Sequence, residues 1–116
     1  MADTIDSLTR RIRTFCDERD WAQYHNPKEM AVAIAAEAGE LLQHFVWQSD
    51  EQSNQRVNDR RSEIASEMAD VAILLFEMAD RCGIDLTAAI MDNLAANAVR
   101  YPVAKAKGSN KKYNEL

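Results

Sequence analysis

The stretch MAVAIAAEAGELLQHF, residues 30–45, decides the fold of this chain of 116 residues. It is rich in Ala, Leu and Glu, which favour the α-helix. Glu37 and Glu40 lie three residues apart within it, so on a helix they share one face about one turn apart. A second pair at the same spacing, Glu67 and Asp70, follows about thirty residues later in another apolar run. The sequence therefore predicts two helices that each carry a pair of acids beside an apolar face.

Four carboxylates beside apolar surface need a positive partner, because like charges about 4 Å apart repel by roughly 4 kcal/mol at an effective dielectric constant of about 20. Mg²⁺ prefers oxygen ligands and keeps waters or phosphates in its remaining positions. We therefore expect a Mg²⁺ site at Glu37, Glu40, Glu67 and Asp70, although one such pair alone is usually a solvated acidic face. A diiron centre fits less well, because it requires a Glu-x-x-His step, and His44 lies four residues after Glu40.

Composition limits the class of protein. Apolar residues make up 47% of the chain, with three glycines and two prolines, which indicates a single helical domain over residues 1–116. The longest wholly apolar run, residues 30–36, is far shorter than the roughly 20 residues of a membrane span. The N-terminus also lacks a signal-peptide pattern, so the expected compartment is the cytoplasm. Cys16 and Cys82 lack metal-site spacing, and we interpret them as reduced, partly buried small residues.

Charge is distributed unevenly along the chain. Residues 1–99 hold nine Lys or Arg against eighteen Asp or Glu, whereas residues 100–116 hold five against one. The excess of acids in residues 1–99 disfavours a nucleic-acid duplex as the partner. A basic segment beside an acidic body instead suits a small polyanion held from two sides, although a solvated C-terminus has the same composition.

Apolar periodicity and capping signals predict an all-α four-helix bundle. Its helices are expected at about residues 4–20, 27–46, 59–82 and 86–99. Asn26 is the expected cap of the second helix and Asp59 of the third, and Gly83 is expected just after the third. The polar segment 48–58 is predicted to be a loop, and residues 100–116 an irregular basic tail.

Apolar spacing also predicts which residues of each helix pack into the core. Met68 and Leu75 belong to the predicted core face of the third helix, and Ile90 and Leu94 to that of the fourth. Gly39 lies inside the second helix, where it costs roughly 1 kcal/mol relative to Ala. A facing helix or a ligand is therefore expected to approach the backbone closely at Gly39.

Aromatic side chains flank the acidic pairs in the sequence. Trp21 and His25 precede the second helix, and Trp47 follows it. Each of them alone is more often a partly buried structural residue than a ligand contact. Together beside a metal site, they would form a slot that stacks on a nucleobase and hydrogen-bonds it.

Several spaced motifs together resemble the MazG-type all-α nucleoside triphosphate pyrophosphohydrolases, and within them the small dCTP pyrophosphatases. The motifs are ERDW at 18–21, Tyr24-His25, EAGE at 37–40, Trp47, Glu67 to Asp70, Asn97, RYP at 100–102 and KYNEL at 112–116. The resemblance implies Mg²⁺-dependent hydrolysis between the α and β phosphates, giving monophosphate and pyrophosphate, in nucleotide pool cleansing or balance. It also implies a homodimer or homotetramer in which a neighbouring chain supplies part of each site.

The same resemblance assigns roles to individual residues. It makes Glu37, Glu40, Glu67 and Asp70 the metal ligands. The base pocket would be lined by Trp21, His25 and Trp47, and sugar and phosphates would be approached by Asn97, Arg100, Tyr101 and Lys112. Glu63 is an outside candidate for a general base. The chain departs from the family pattern at Ile12, Ala36, Leu74 and Asn93, which leaves base preference and part of the phosphate contacts open.

Two functions without catalysis stay open at this point. A helical interaction module would use the acidic face to bind a basic partner. A nucleotide sensor would bind the triphosphate without cleaving it. Release of monophosphate distinguishes the enzyme from the sensor, and a metal-dependent thermal shift distinguishes it from the interaction module.

Overall fold

The computed structural model describes residues 2–116, and the regular structure among them is helical. Its helices are α1 Ile5–Glu18, α2 Pro27–Gln43, α3 Asp50–Asp59, α4 Arg61–Arg81, α5 Leu86–Arg100 and α6 Val103–Ala106, with 3₁₀ turns at Ala22–Tyr24 and Tyr113–Glu115. The described residues divide into two compact units, 2–84 and 85–116. The all-α prediction is confirmed, while the first residue of the predicted domain lies outside the described range.

Local signals define the start of α2, the end of α4 and the start of α5. The Asn26 side chain accepts a hydrogen bond from the backbone N–H of Glu29 at 2.9 Å, and Pro27 occupies the first position of α2. Gly83 follows α4 with a φ of +67°, a left-handed conformation that suits glycine. Asp85 then caps α5 by accepting from a backbone N–H three residues later.

The predicted loop over residues 48–58 is wrong, because most of this segment is α3. Ser49 accepts from the backbone N–H of Gln52 at 3.2 Å, and the Gln52 side chain accepts from the N–H of Ser49 at 2.9 Å. This capping box provides partners for end groups of the helix. Asp59 is the last residue of α3 rather than a cap, and α4 follows directly without a side-chain cap.

The predicted irregular tail also contains ordered structure. After Pro102 the chain forms α6, and the 3₁₀ turn near its end includes Tyr113. The Tyr101 and Tyr113 rings pack edge to face with centroids 6.1 Å apart. The Arg100 guanidinium lies 5.4 Å from the centroid of the Tyr113 ring, so a cation–π contact adds to this packing.

Helix α4 is the centre of the first unit and packs against α1, α2 and α3. Met30 of α2, which is 2% exposed, and Ile64 and Ala79 of α4 are buried there. Arg13 of α1 donates two hydrogen bonds to the carboxylate of Asp80, with Nε 2.8 Å from Oδ2. This arrangement places the acidic pair of α4 beside the acidic pair of α2.

Several predicted core positions are exposed. Met68 and Leu75 of α4 are 57% and 42% exposed, and Ile90 and Leu94 of α5 are 43% and 58% exposed. These helices carry apolar residues on more than one face, and the described residues do not cover them all. A Cβ at Gly39 would meet nothing within 4 Å, so the expected close approach is also absent within the described residues.

Candidate functional site

The four predicted metal ligands meet where α2 packs against α4. Glu37 and Glu40 are on α2, and Glu67 and Asp70 are on α4. Burial of the Glu37 carboxyl, the charge of Glu40 and a hydrogen bond shared with it, and the charges of Asp70 and Glu67 together raise the pKa of Glu37. The two pairs, which lie far apart in sequence, therefore form one acidic cluster.

The acidic cluster fits a hard divalent cation. Oε2 of Glu37 is buried and has no hydrogen-bond partner, which is costly for a polar atom removed from water. All the donors are carboxylate oxygens, the ligand type of Mg²⁺. Among the described residues, the group of possible metal ligands whose atoms all lie within 4.8 Å of one another does not belong to the acidic cluster. The carboxylates of the acidic cluster are thus spread more widely than those of a closed site, and a cation there would need water or phosphate oxygens as further ligands.

His44, the residue after α2, contacts one carboxylate of the acidic cluster. Its ring is buried, and Nε2 makes a short hydrogen bond to Oε2 of Glu67. Such a contact fixes the orientation of the carboxylate and leaves its other oxygen free. Nδ1 of His44 is buried without a partner. The sequence places His44 four residues after Glu40, but it did not reveal the contact with Glu67.

Trp21 and His25 both line a cavity of about 680 Å³ between α1 and α4. Their ring centroids lie 6.2 Å apart, and Phe15 packs edge to face against Trp21 at 5.7 Å. The lining also includes Ala69, the neighbour of Asp70 in the acidic cluster. A cavity with aromatic and apolar walls therefore adjoins the acidic cluster along α4.

Trp47 is separate from this cavity within the described residues. Its side chain is 96% exposed, and its backbone has a φ of +63°. A bulky residue with positive φ is a strained exception. The structure therefore does not join Trp47 to the other two predicted base contacts within one chain.

The second unit holds the residues predicted to approach sugar and phosphate. Asn97 and Arg100 are exposed on α5, and Tyr101 is half-buried at its end. Lys112 is exposed just before the final 3₁₀ turn. In the first unit, Glu63, the outside candidate for a general base, is exposed in the first turn of α4.

A buried network at the wall of the cavity was not predicted from the sequence. Oε1 of Glu77 lies 2.6 Å from Nδ1 of His25 and 3.1 Å from Nε of Arg81. Burial opposes ionisation of Glu77, but hydrogen bonds from His25, Cys16 and Arg81 outweigh it and lower the pKa of Glu77. Burial and then the adjacent Glu77 raise the pKa of Cys16 to about 11. The two cysteines differ, since Cys16 is buried and Cys82 is exposed.

Comparison with known proteins supplies the family. The pattern of the MazG-like family matches residues 32–116. The chain belongs to the MazG-like family. Human dCTP pyrophosphatase 1 is 37% identical over 115 residues, which cover 97% of this chain and 68% of the relative. The mouse protein of the same name is 36% identical with the same coverage.

A solved structure agrees with this assignment of the MazG-like chain. The crystal structure of a pyrophosphatase from Archaeoglobus fulgidus superposes with a TM-score of 0.82 at 33% sequence identity, covering 88% of this chain and 95% of that one. The predicted fold family is confirmed. The predicted enzyme class, a nucleoside triphosphate pyrophosphohydrolase, is confirmed as well.

Two of the departures from the family pattern lie at the cavity of this MazG-like chain. Ile12 of α1 and Leu74 of α4 both line it. Neither side chain can donate or accept a hydrogen bond, so neither can distinguish the polar edges of two bases. Polar recognition at this wall therefore falls to other residues.

No helix within residues 2–116 has the length and apolar character needed to cross a membrane.

Proposed function

We propose that this MazG-like enzyme hydrolyses a deoxynucleoside triphosphate between its α and β phosphates, giving the monophosphate and pyrophosphate, with Mg²⁺ as cofactor. Its first candidate substrate is dCTP, because relatives 36–37% identical carry the name dCTP pyrophosphatase 1. The observation that carries the proposal is the acidic cluster beside a cavity with aromatic walls. The physiological role would be cleansing or balance of the nucleotide pool in the cytoplasm.

The acidic cluster would hold the cation through Glu37, Glu40, Glu67 and Asp70. When bound, Mg²⁺ polarises phosphate oxygens and lowers the pKa of bound water. His44 keeps the Glu67 carboxylate in one orientation through its hydrogen bond to Oε2. A carboxylate oxygen that the cation leaves free accepts the proton of the attacking water, and Oε2 of Glu37 is one candidate, with Glu63 the outside candidate.

The remaining contacts position the nucleotide. Trp21 and His25 would bind the base in the cavity, and the neighbouring acidic cluster would then receive the triphosphate. Asn97, Arg100, Tyr101 and Lys112 would contact sugar and phosphates, as their positions in the family motifs suggest. Since phosphoryl transfer depends mainly on positioning and electrostatics, these contacts would account for much of the rate.

We also propose a homodimer or homotetramer whose neighbouring chains share sites. Trp47 supports this proposal, because a strained and almost fully exposed tryptophan gains little within one chain. Exposed apolar residues on α5, including Met91 and Val99, give further contact surface. Light scattering after size-exclusion chromatography would measure the mass, and a monomer at catalytic concentrations would refute this part.

Pyrophosphate and monophosphate release from dCTP, with and without Mg²⁺, tests the proposed function. Glu40→Gln and Asp70→Asn should each lower the rate by on the order of 10²–10³-fold. Glu51→Gln removes one charge at an exposed position of α3 and should keep the wild-type rate. Tight dCTP binding without monophosphate would instead support a sensor, and neither binding nor release would support an interaction module. A panel of all canonical and 5-modified deoxynucleoside triphosphates would then rank the substrates.

A further inference from the structure

The wall of the cavity carries one polar ring held by a buried network. The His25 side chain is 26% exposed, whereas Glu77 behind it is 3% exposed. Most other lining residues are apolar, including Ile12 and Leu74. A base edge that enters the cavity therefore meets few groups able to hydrogen-bond, among them His25 and the guanidinium of Arg11.

The network determines where the His25 proton lies. Arg81 is always protonated and donates from Nε to Oε1 of Glu77 at 3.1 Å. An ionised carboxylate only accepts hydrogen bonds, so Nδ1 of His25, 2.6 Å from the same oxygen, must be the donor. In a neutral imidazole the proton on Nδ1 leaves a lone pair on Nε2.

Nε2 of His25 is available for a ligand. It has no hydrogen bond to protein among residues 2–116, and it is absent from the buried atoms without partners there. The ring that carries it lines the cavity and lies against Trp21. A base stacked near Trp21 would thus find an acceptor of fixed orientation at its edge.

A metal ion is the competing occupant of this network. Atoms of Cys16, His25 and Glu77 lie within 4.8 Å of one another, and this donor set suits zinc. The guanidinium of Arg81, however, donates to the same oxygen of Glu77 that contacts His25. A fixed positive charge there repels a second cation. The hydrogen-bonded network is therefore the better account.

We propose that Glu77 is a positioning residue that makes His25 select bases with an exocyclic amino group at this edge, cytosine over uracil and thymine. Cytosine offers an N–H donor to the Nε2 lone pair, whereas uracil and thymine place a carbonyl oxygen there and leave two acceptors facing each other. Sites that hydrogen-bond a substrate group reject analogues lacking it far more strongly than apolar pockets do. This inference rests on the proposed function and adds its basis of selectivity.

The ratio of kcat/KM for dCTP to that for dUTP tests the proposal. Glu77→Gln keeps the shape of the side chain, but its amide can either donate to Nδ1 of His25 or accept from it. The His25 tautomer is then no longer fixed, and the dCTP to dUTP ratio should fall by on the order of 10–10²-fold. Asp80→Asn is the matched control, since it removes an Arg-paired carboxylate from the same helix and should keep the wild-type ratio. An unchanged ratio in folded Glu77→Gln overturns the proposal.

A spectroscopic readout decides the matter if Glu77→Gln does not fold. Long-range ¹H–¹⁵N spectra report the tautomers of the two histidines of the chain, and His25→Asn assigns their signals. Wild-type protein should show His25 protonated on Nδ1 and unprotonated on Nε2, and a proton on Nε2, with or without one on Nδ1, would overturn the proposal. A wild-type enzyme inactive on every deoxynucleoside triphosphate refutes the proposed function, whereas an active enzyme with equal dCTP and dUTP rates refutes only this inference.

Discussion

Glu37→Gln should separate the electrostatic cost of the acidic cluster from its proposed use. In the metal-free protein, Glu37 has a raised pKa because of burial and the charges of its neighbours, and one of its oxygens has no partner. A neutral amide of the same size removes that repulsion and can donate to the neighbouring carboxylates. The metal-free variant should therefore melt above the wild type.

The effect of Mg²⁺ should be the opposite. At a concentration of one hundred times its Kd, a bound ion stabilises the folded state by about 2.7 kcal/mol. A chain of 116 residues has an unfolding entropy of about 0.24 kcal/mol per kelvin, so the wild-type Tm should rise by about 11 °C. If loss of Glu37 weakens the site one hundredfold, the same Mg²⁺ concentration gives about 0.4 kcal/mol and a rise of about 2 °C.

Thermal melts followed by circular dichroism, at one protein concentration and with increasing Mg²⁺ after chelator treatment, measure both effects. Glu29→Gln is the matched control, because it removes one carboxylate from the same helix at an exposed position. It should keep the wild-type response to Mg²⁺. Equal Mg²⁺-induced shifts in wild type and Glu37→Gln would refute the assignment of Glu37 as a ligand.

Three further predictions concern stability. Gly39→Ala should raise stability by about 1 kcal/mol in urea unfolding, because alanine favours the helix and finds open space there; a loss would indicate a neighbour outside the chain. The lowered pKa of Glu77 stabilises the fold at pH values above 4.5, the ordinary pKa of a glutamate. The free energy of unfolding should therefore fall as the pH drops below 4.5, and it should fall less steeply in Glu77→Gln. Because the pKa of Cys16 is raised to about 11 in the folded protein, the free energy of unfolding should fall by up to about 3 kcal/mol between pH 9 and 11. Cys16→Ala should not show this loss. Thermal melts in which both proteins lose the same stability over this pH range would contradict the prediction.

Helical periodicity made the acidic cluster predictable. Glu37 and Glu40 share a face at any helical register, and so do Glu67 and Asp70, because the three-residue step depends only on local geometry. The cap at Asn26 and the left-handed Gly83 are equally local, which explains why the limits of α2 and the end of α4 were close to the prediction. Features set within one helical turn are those that sequence periodicity and capping preferences describe best.

The missed features depend on other interactions. Helix α3 has a capping box at Ser49 but no apolar period, so it presents no apolar face that sequence periodicity can indicate. The contact of His44 with Glu67 spans 23 positions in sequence, and that of His25 with Glu77 spans 52. Pairings of this kind depend on how helices pack against each other, which no local pattern specifies.

One face of α4 connects the two ends of the proposed site. Asp70 and Glu77 are seven residues apart, two helical turns, so they lie on nearly the same face and about 10 Å apart along the axis. Near Asp70 this face meets α2 and its acids, whereas at Leu74 and Glu77 it meets the cavity and His25. A nucleotide lying along α4 would thus place its phosphates and its base against one rigid element. The spacing between the proposed metal site and the proposed base contact would then be set by helix geometry rather than by a loop, which favours a single productive pose.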